Sequence, residues 1–409
     1  MVYQSPAGAR DLLPLDVAQK RWIEERLQQV FHRWGYHRII TSTLERLDTL
    51  MAGGAVERSQ VIQLQSSEEG EVGLRPELTA SIARTAVTRM AGVTYPQRLY
   101  YNANVFRRST DNTHNQQHEF YQAGVELLGA QGWLADAEVL LLLADCLQEL
   151  RLNHWCLILG EAGIARSLLD AFPENLRNQV RYAISHLDRV TLETLPLTPQ
   201  LREQALMMLD LRGHPADVLQ KVAALNLDSQ AEALNNLKSL VSLLEECSSQ
   251  SQRSTSLPIV LDLSLIQTFD YYTGIVFKVI SNSYPARIIG QGGRYDQLLG
   301  LYHPNQDTVP GIGFALNIED LHQVLLNTNQ LPQATPASHW LVVPETPQAY
   351  ATAFAYAAKL RDSTHLVRVE IDLGDRTPDF IREYARRRRI QQIAWIPAAG
   401  LPSIEFIAK

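Results

Sequence analysis

Two short stretches of this sequence could hold a small polar ligand. "FDYYTG" (269–274) carries Asp270, Tyr271 and Tyr272 on a strand-like run, followed by Thr-Gly. "EFYQAGVELLG" (119–129) alternates as a strand. That period puts Gln122, Gly124 and Glu126 on one face and Tyr121, Ala123 and Val125 on the other. A glutamine and a glutamate with glycine between them leave room for a small ligand. The same pattern also fits an exposed sheet face, where charged residues usually sit. "LRPELTA" offers Glu77 and Thr79 where a strand meets a helix start. Either this corner presents a carboxylate, a hydroxyl and backbone N–H groups together, or Thr79 only caps the helix and Glu77 is solvated. Arg107 and Arg108 end the run "RLYYNANVFRR". One of them can grip a carboxylate or phosphate through two parallel bonds; otherwise both are surface arginines at a loop mouth.

Other chemistries lack their residues. "GQGGRYD" (290–296) has neither G-x-x-x-x-G-K-[ST] nor G-x-G-x-x-G, so its glycines point to a turn or a close backbone contact. The 11 histidines show no metal spacing, so no metal site is expected. The basic run "YARRRRI" (384–390) can meet RNA or an acidic partner, but a solvated or interface face is the commoner use. A net charge of −7 and a pI of about 5.9 give no whole-molecule basic field for nucleic acid. The 3 cysteines form no C-x-x-C pair, which fits a reducing compartment. "MVYQSPAGARDLLPLD" has no apolar signal core, and "AEVLLLLADCL" is too short to span a bilayer. A cytoplasmic protein is the expectation.

The elements that must position these residues can be read from periodicity. Residues 16–35 form a helix with Trp22, Leu27, Val30, Phe31 and Trp34 among its apolar positions, stopped by Gly35. "YHRIITSTLE" is a strand, and "VGLRPELTASIARTAV" is a strand end turning into a helix that Thr79 caps. Residues 98–107 and 119–129 make a hairpin around the long polar loop "RSTDNTHNQQH". A helix over 133–151 and the strand "HWCLILG" follow. From about 164 to 254 helical patterns alternate with breakers, which predicts a helical insertion. Strands resume at 258–280, and "ARIIGQGGRYDQLLG" and "VPGIGFALNIEDLHQVLL" close a first domain spanning 1–326. "NTNQLPQATPAS" (327–338) is a linker by composition. Residues 338–409 alternate as a small α/β domain whose two helices each open with Thr-Pro, a cap followed by proline at the first helical position.

Together, "GLRPELTASIAR", "RLYYNANVFRR…HEFYQAGVELLG", "FDYYTGIVF", "GGRYDQLLG" and "PGIGFALNIEDL" resemble the histidyl-tRNA synthetase family in order and spacing, over about 5–320 and more loosely 338–409. The resemblance implies an α+β fold. Its core is a class II aminoacyl-tRNA synthetase-like antiparallel sheet flanked by helices, with a shortened anticodon-binding-like tail. It also maps a histidine pocket onto Glu77, Thr79, Arg107, Gln122, Glu126, Tyr271 and Tyr272. Glu77 with Thr79 and Gln122 would receive the ammonium group, and Arg107 the carboxylate. Glu126 and Tyr272 would hold the two ring nitrogens.

The family's nucleotide site maps poorly. Activating an amino acid with ATP builds charge on the α-phosphate, and losing one well-placed donor there costs about 3–4 kcal/mol. The family's Arg-Gly-Leu-Asp-Tyr-Tyr reads "QTFDYY" here, so its catalytic arginine is Gln267. Its Leu-Glu-Arg-Leu reads "IEDL", placing Asp320 where an arginine holds the phosphates. Its Phe-Arg-x-Glu reads "FRRS", placing Ser109 where a glutamate serves the nucleotide. A working synthetase keeps its phosphate arginines, and a decaying one loses both halves at random. A histidine sensor keeps only the histidine half. The sequence therefore resembles the regulatory-subunit family of ATP phosphoribosyltransferase, a synthetase paralogue. That resemblance implies no catalytic residues and no cofactor. The implied partner is a short-form catalytic subunit, with L-histidine as effector and a dimer inside a hetero-oligomer. The alternatives are a divergent synthetase that activates histidine with ATP, and a stand-alone histidine- or RNA-binding paralogue. The acidic pI and the reduced tail argue against nucleic acid as a partner.

Overall fold

The computed structural model describes residues 5–6, 8–54, 56–64, 70–108, 117–223, 230–250, 257–265, 271–283, 285–363, 366–374 and 376–407. Ser109, Gln267 and Asp270 lie outside the described residues, as does most of the polar hairpin loop. The chain forms two compact units, Met1–Leu331 and Pro332–Lys409.

The first unit is built on a nine-stranded sheet. In chain order its strands are β1 (His37–Arg38), β4 (Gln97–Phe106), β5 (Glu119–Leu128), β6 (Trp155–Glu161), β7 (Arg212–Gly213), β8 (Ile259–Asp262), β9 (Ile275–Ser281), β10 (Arg287–Arg294) and β11 (Gly311–Asn317). A separate pair, β2 (Leu44–Arg46) and β3 (Val72–Leu74), stands beside it. The spatial order is β1-β4-β5-β11-β10-β9-β6-β8-β7. Its centre is antiparallel, but β1 runs parallel to β4 and β6 parallel to β8, so the sheet is mixed. The expected single strand "YHRIITSTLE" is instead the two short strands β1 and β2. Arg75 explains the break: buried, it donates to the carbonyls of Thr41 (2.8 Å) and Ser42 (3.1 Å), which diverts that backbone from the sheet ladder.

Helices flank this sheet. They are α1 (Pro14–Arg33), α2 (Leu47–Met51), α3 (Thr79–Thr88), α4 (Trp133–Glu149), α5 (Ala162–Asp170), α6 (Glu174–Ser185), α7 (Arg189–Thr194), α8 (Pro199–Leu209), α9 (Pro215–Ala223), α10 (Ala231–Gln250) and α11 (Ile318–Leu326). Strand alternation divides the work. Tyr100, Ala123, Val125, Leu127, Phe277 and Phe314 point into the main core, against Leu27 and Phe31 of α1 and Val139 and Leu143 of α4. Burying side chains of this size is worth about 1.5–3 kcal/mol each, so this face holds the fold. The opposite face carries the site and α3, which packs through Ile82, Ala83 and Ala86 against Leu99 and Tyr101. Gly35 takes φ +77° and ends α1 as expected. Among the described residues, helices α5–α10 make up the predicted insertion, with the two-residue strand β7 between α8 and α9. No helix among the described residues is long and apolar enough to cross a membrane.

The second unit has a four-stranded sheet, β12 (Trp340–Pro344), β13 (Val369–Ile371), β14 (Gln392–Ile396) and β15 (Ser403–Phe406), in the order β13-β12-β14-β15. α12 (Tyr350–Ser363) packs on one face through Ala353 and Ala357, and α13 (Pro378–Arg387) on the other through Ile381 and Ala385. The second Thr-Pro works as expected: Thr377 Oγ1 accepts from Phe380 N–H at 3.4 Å. The first does not. Thr346 makes no side-chain cap, and Pro347 opens a 3₁₀ turn that leads into α12.

Candidate functional site

Three strands supply the floor of the site through side chains that share one face. Glu126 of β5 stands opposite Gly313 of β11, which stands opposite Gly293 of β10. One row along, Gly124, Ala315 and Gln291 are aligned in the same way. The near-absence of side chains across the middle is required. A Cβ on Gly313 would lie 1.9 Å from Glu126 Oε2, and one on Gly293 would lie 2.7 Å from the Tyr272 ring. The glycine-rich stretch is thus a close backbone contact within a strand, not a turn. The resulting cavity of about 400 Å³ is walled by Glu77, Thr79, Arg107, Gln122, Glu126, Tyr271 and Tyr272. All seven residues selected from the sequence therefore meet around one space.

The bland alternatives fail for the carboxylates. Glu126 is 1% exposed and Gln122 8%, so this is no solvated sheet face. Nor does Thr79 cap α3. The Glu77 carboxylate accepts from the backbone N–H groups of Thr79 (2.5 Å) and Ala80 (2.9 Å), taking the capping role itself. That frees the Thr79 hydroxyl to donate to Glu126 Oε1 at 2.8 Å. Glu126 Oε2 accepts from the Tyr295 hydroxyl.

Burial dominates the electrostatics. It pushes the Glu126 carboxyl up to about 8, against the pull of the bonds from Tyr295 and Thr79; the charge of Glu77 adds to the rise. Burial also raises Glu77, which its backbone bonds and the Arg107 charge pull back. Burial lowers Arg107, and Glu77 opposes that. Arg107 Nε donates to the Pro76 carbonyl at 2.8 Å, which fixes the plane of the guanidinium. The Tyr271 and Tyr272 rings meet at a tilt of 39° with centroids 4.5 Å apart, and burial raises both hydroxyls. The site thus offers desolvated acids, a desolvated arginine and phenols, a set suited to an amino acid with a hydrogen-bonding side chain.

Two contributors were missed in the sequence. Tyr295 lies inside the quoted "GGRYD", where the glycines drew the attention. Tyr101 faces Gly124 across β4 and β5, and its alternation with the core residue Tyr100 was the available signal. Other expected features fall elsewhere. Asp320 sits in the first turn of α11, pairs with Arg287 at 3.2 Å and does not line the cavity. The arginine run is tied down locally: Arg386 and Arg387 pair with Glu383, Arg388 with Glu370, and Arg389 donates to the Thr335 carbonyl. No cluster of metal-ligating side chains occurs among the described residues.

The family model for histidyl-tRNA synthetase matches residues 8–321. An ATP phosphoribosyltransferase regulatory subunit from Nostoc sp. (strain PCC 7120) is 69% identical over 411 residues, covering 100% of both chains. The chain belongs to the ATP phosphoribosyltransferase regulatory subunit family. Another family member, from Nostoc punctiforme, is also 69% identical over 409 residues, again at 100% of both chains. The fold agrees with that of a solved ATP phosphoribosyltransferase regulatory subunit/histidyl-tRNA synthetase from Bacillus halodurans. The TM-score is 0.81 at 25% identity, over 98% of this chain and 100% of that one. Histidyl-tRNA synthetase from Nostoc sp. PCC 7120 shares the fold at a TM-score of 0.78 and 18% identity, over 99% of this chain and 95% of that one. One fold thus serves both histidyl-tRNA synthetases and regulatory subunits.

Proposed function

We propose that this chain is the non-catalytic regulatory subunit of ATP phosphoribosyltransferase and that it senses L-histidine in the cavity described above. The observation that carries the reading is Glu126. It is a carboxyl buried at the cavity floor, held by Thr79 and Tyr295 and largely protonated at neutral pH. Such a group can donate to one imidazole nitrogen, and Tyr272 serves the other. Glu77, Thr79 and Gln122 receive the ammonium group. The outer nitrogens of Arg107 take the carboxylate.

Asp320 supports the regulatory role, because a carboxylate stands where a synthetase of this family has a phosphate-binding arginine. Ser109 and Gln267 are read the same way from sequence alone. The chemistry of phosphoribosyl transfer then lies on a separate short-form catalytic chain. This chain acts by binding, as a dimer within a hetero-oligomer in the cytoplasm. The C-terminal unit is a shortened counterpart of an anticodon-binding domain. Linkage demands reciprocity: if bound histidine weakens the partner's hold on its substrates, those substrates weaken histidine binding by the same factor, typically about 1–3 kcal/mol.

Reconstitution tests this. Mixed with a short-form ATP phosphoribosyltransferase, the chain should confer activity that histidine suppresses; activity indifferent to the chain defeats the proposal. Robust ATP–pyrophosphate exchange with histidine would instead establish the synthetase reading.

A further inference from the structure

Next to Gly293 along β10, on the opposite strand face from the cavity, Arg294 centres an ion cluster with no part in the contacts above. Arg294, 7% exposed, directs its guanidinium at the first turn of α4. Nε and Nη2 lie 2.8 and 2.6 Å from Asp136 Oδ1, and Nη1 lies 3.0 Å from Asp296 Oδ1. The Gly132 and Ala130 carbonyls take further bonds from Nη2 (3.2 Å) and Nη1 (3.3 Å). Every guanidinium nitrogen is therefore engaged, and the end of β10 is locked to the β5–α4 connection.

The same residues hold the tyrosines. The Arg294 carbonyl accepts from Thr273 N–H at 2.8 Å, and the Thr273 hydroxyl accepts from Asp296 N–H at 2.9 Å. Gly274 leaves the Arg294 side chain its space, since a Cβ there would lie 2.9 Å from Arg294 Cδ. The chain neighbours of this cluster are Tyr272, next to Thr273, and Tyr295, next to Arg294. These two phenols line the cavity from β9's approach and from the end of β10.

We propose that the Arg294–Asp136–Asp296 cluster is a positioning element of the pocket, setting where Tyr272 and Tyr295 stand and hence how tightly the ligand is held. The inference rests on the histidine-sensing reading and adds residues that never touch the ligand. A purely structural ion pair would affect melting and leave affinity alone. Burial pushes the Asp136 carboxyl up to about 6, against the pull of Arg294. The other charged groups around it are Asp296, Glu161 and Glu232, which line the same second cavity of about 650 Å³. Asp296 already holds Nη1, so loss of charge at Asp136 leaves Nε and Nη2 without their ionic partner.

The test is calorimetric binding to the full chain, with Arg294→Lys and Asp136→Asn. Two ligands are used: L-histidine and 1,2,4-triazole-3-alanine, whose ring does not gain a proton between pH 5 and 7. The expected result is a Kd raised about tenfold in both variants, as for side chains displaced by a fraction of an ångström. For the wild type, triazole-alanine affinity should fall between pH 7 and 5 as Asp136 gains its proton. Asp136→Asn should flatten that dependence. Folded variants with Kd within twofold of wild type, or a pH profile unchanged by Asp136→Asn, overturn the inference. Asp296→Asn, whose side chain is 40% exposed, serves if the two buried variants fail to fold, with the same criterion. Absence of histidine binding by the wild type would fell the functional reading, and this inference with it. Binding by wild type with unaltered variants fells this inference alone.

Discussion

The two units each contain a cavity, and they treat charge in opposite ways. In the C-terminal unit a crevice of about 870 Å³ opens at the carboxyl ends of β12 and β13. It is the larger of the two, yet four of its charged side chains are already paired: Arg382 with Glu405 at 2.7 Å and Arg376 with Asp372 at 3.6 Å. The bond from Arg382 holds Glu405 below the usual carboxylate range. In the first unit, burial pushes Glu126 and Glu77 the other way. Paired charges of the first kind complete themselves. Desolvated acids cost stability, and such groups concentrate where a ligand supplies the missing partner. Size alone would point to the other cavity.

The contrast breaks most directly at Glu126. Glu126→Ala should weaken histidine binding by about 100-fold, within the 1.5–3 kcal/mol typical of a charge-assisted hydrogen bond. It should relieve inhibition and leave complex assembly intact. Calorimetry and reconstituted activity read both, and unchanged affinity would show that the ring is held elsewhere. Glu126→Gln isolates the cost of the charge. The folded-state value of about 8 lies above the ordinary 4.5. Wild-type stability attributable to this group is therefore complete below 4.5 and is lost as pH rises through 8. The glutamine variant should melt above wild type at pH 9, and that advantage should vanish at pH 4.5.

Gly313 sharpens the same point without altering a polar group. Gly313→Ala drives a Cβ into Glu126 Oε2 and to 2.3 Å from the Val125 carbonyl. The expected cost is about 1–3 kcal/mol of stability, typical of overpacking, and about a tenfold loss of affinity. Denaturant unfolding and calorimetry measure the two. Native affinity in this variant would mean that Glu126 does not set the floor.

The pH dependence of binding is a gentler probe. Near pH 7 a neutral ring and a protonated Glu126 bring one proton between them, so binding there needs no proton from solvent. Above about 8 the free protein has lost that proton and must take it up again. Affinity should therefore fall about fourfold between pH 7 and 8.5 in wild type and stay level in Glu126→Gln. Proton uptake should appear as a buffer-dependent binding enthalpy at the higher pH.

Much of this was legible in the sequence. Period-two alternation in "EFYQAGVELLG" placed Gln122 and Glu126 together, and the structure keeps that face. What alternation could not supply was burial, because a polar strand face reads the same whether water or a cavity lies over it. Glu77 and Thr79 were located, but their division of labour was not. A glutamate two residues before a helix can cap as readily as a threonine, and the choice depends on the distant Glu126. The ends of β1 and β2 were misread because the carbonyls of Thr41 and Ser42 go to a remote buried arginine. Tyr295 was hidden for a related reason: its partner lies 169 residues away.

The smallest effect is expected in the crevice. Arg382 donates to Glu405 and Asp379 and lies over the Trp395 ring. Arg382→Ala removes one member of a pair at an open rim, where water can solvate the acid left behind. Melting of the C-terminal unit should shift slightly, more at low salt than at high. Histidine affinity of the full chain should stay within twofold of wild type, since the partners of Arg382 belong to the C-terminal unit. A larger change in affinity would mean that the crevice contributes to sensing. Its paired charges would then be a latch that the effector opens, and the division between a self-complete cavity and a poised one would fail.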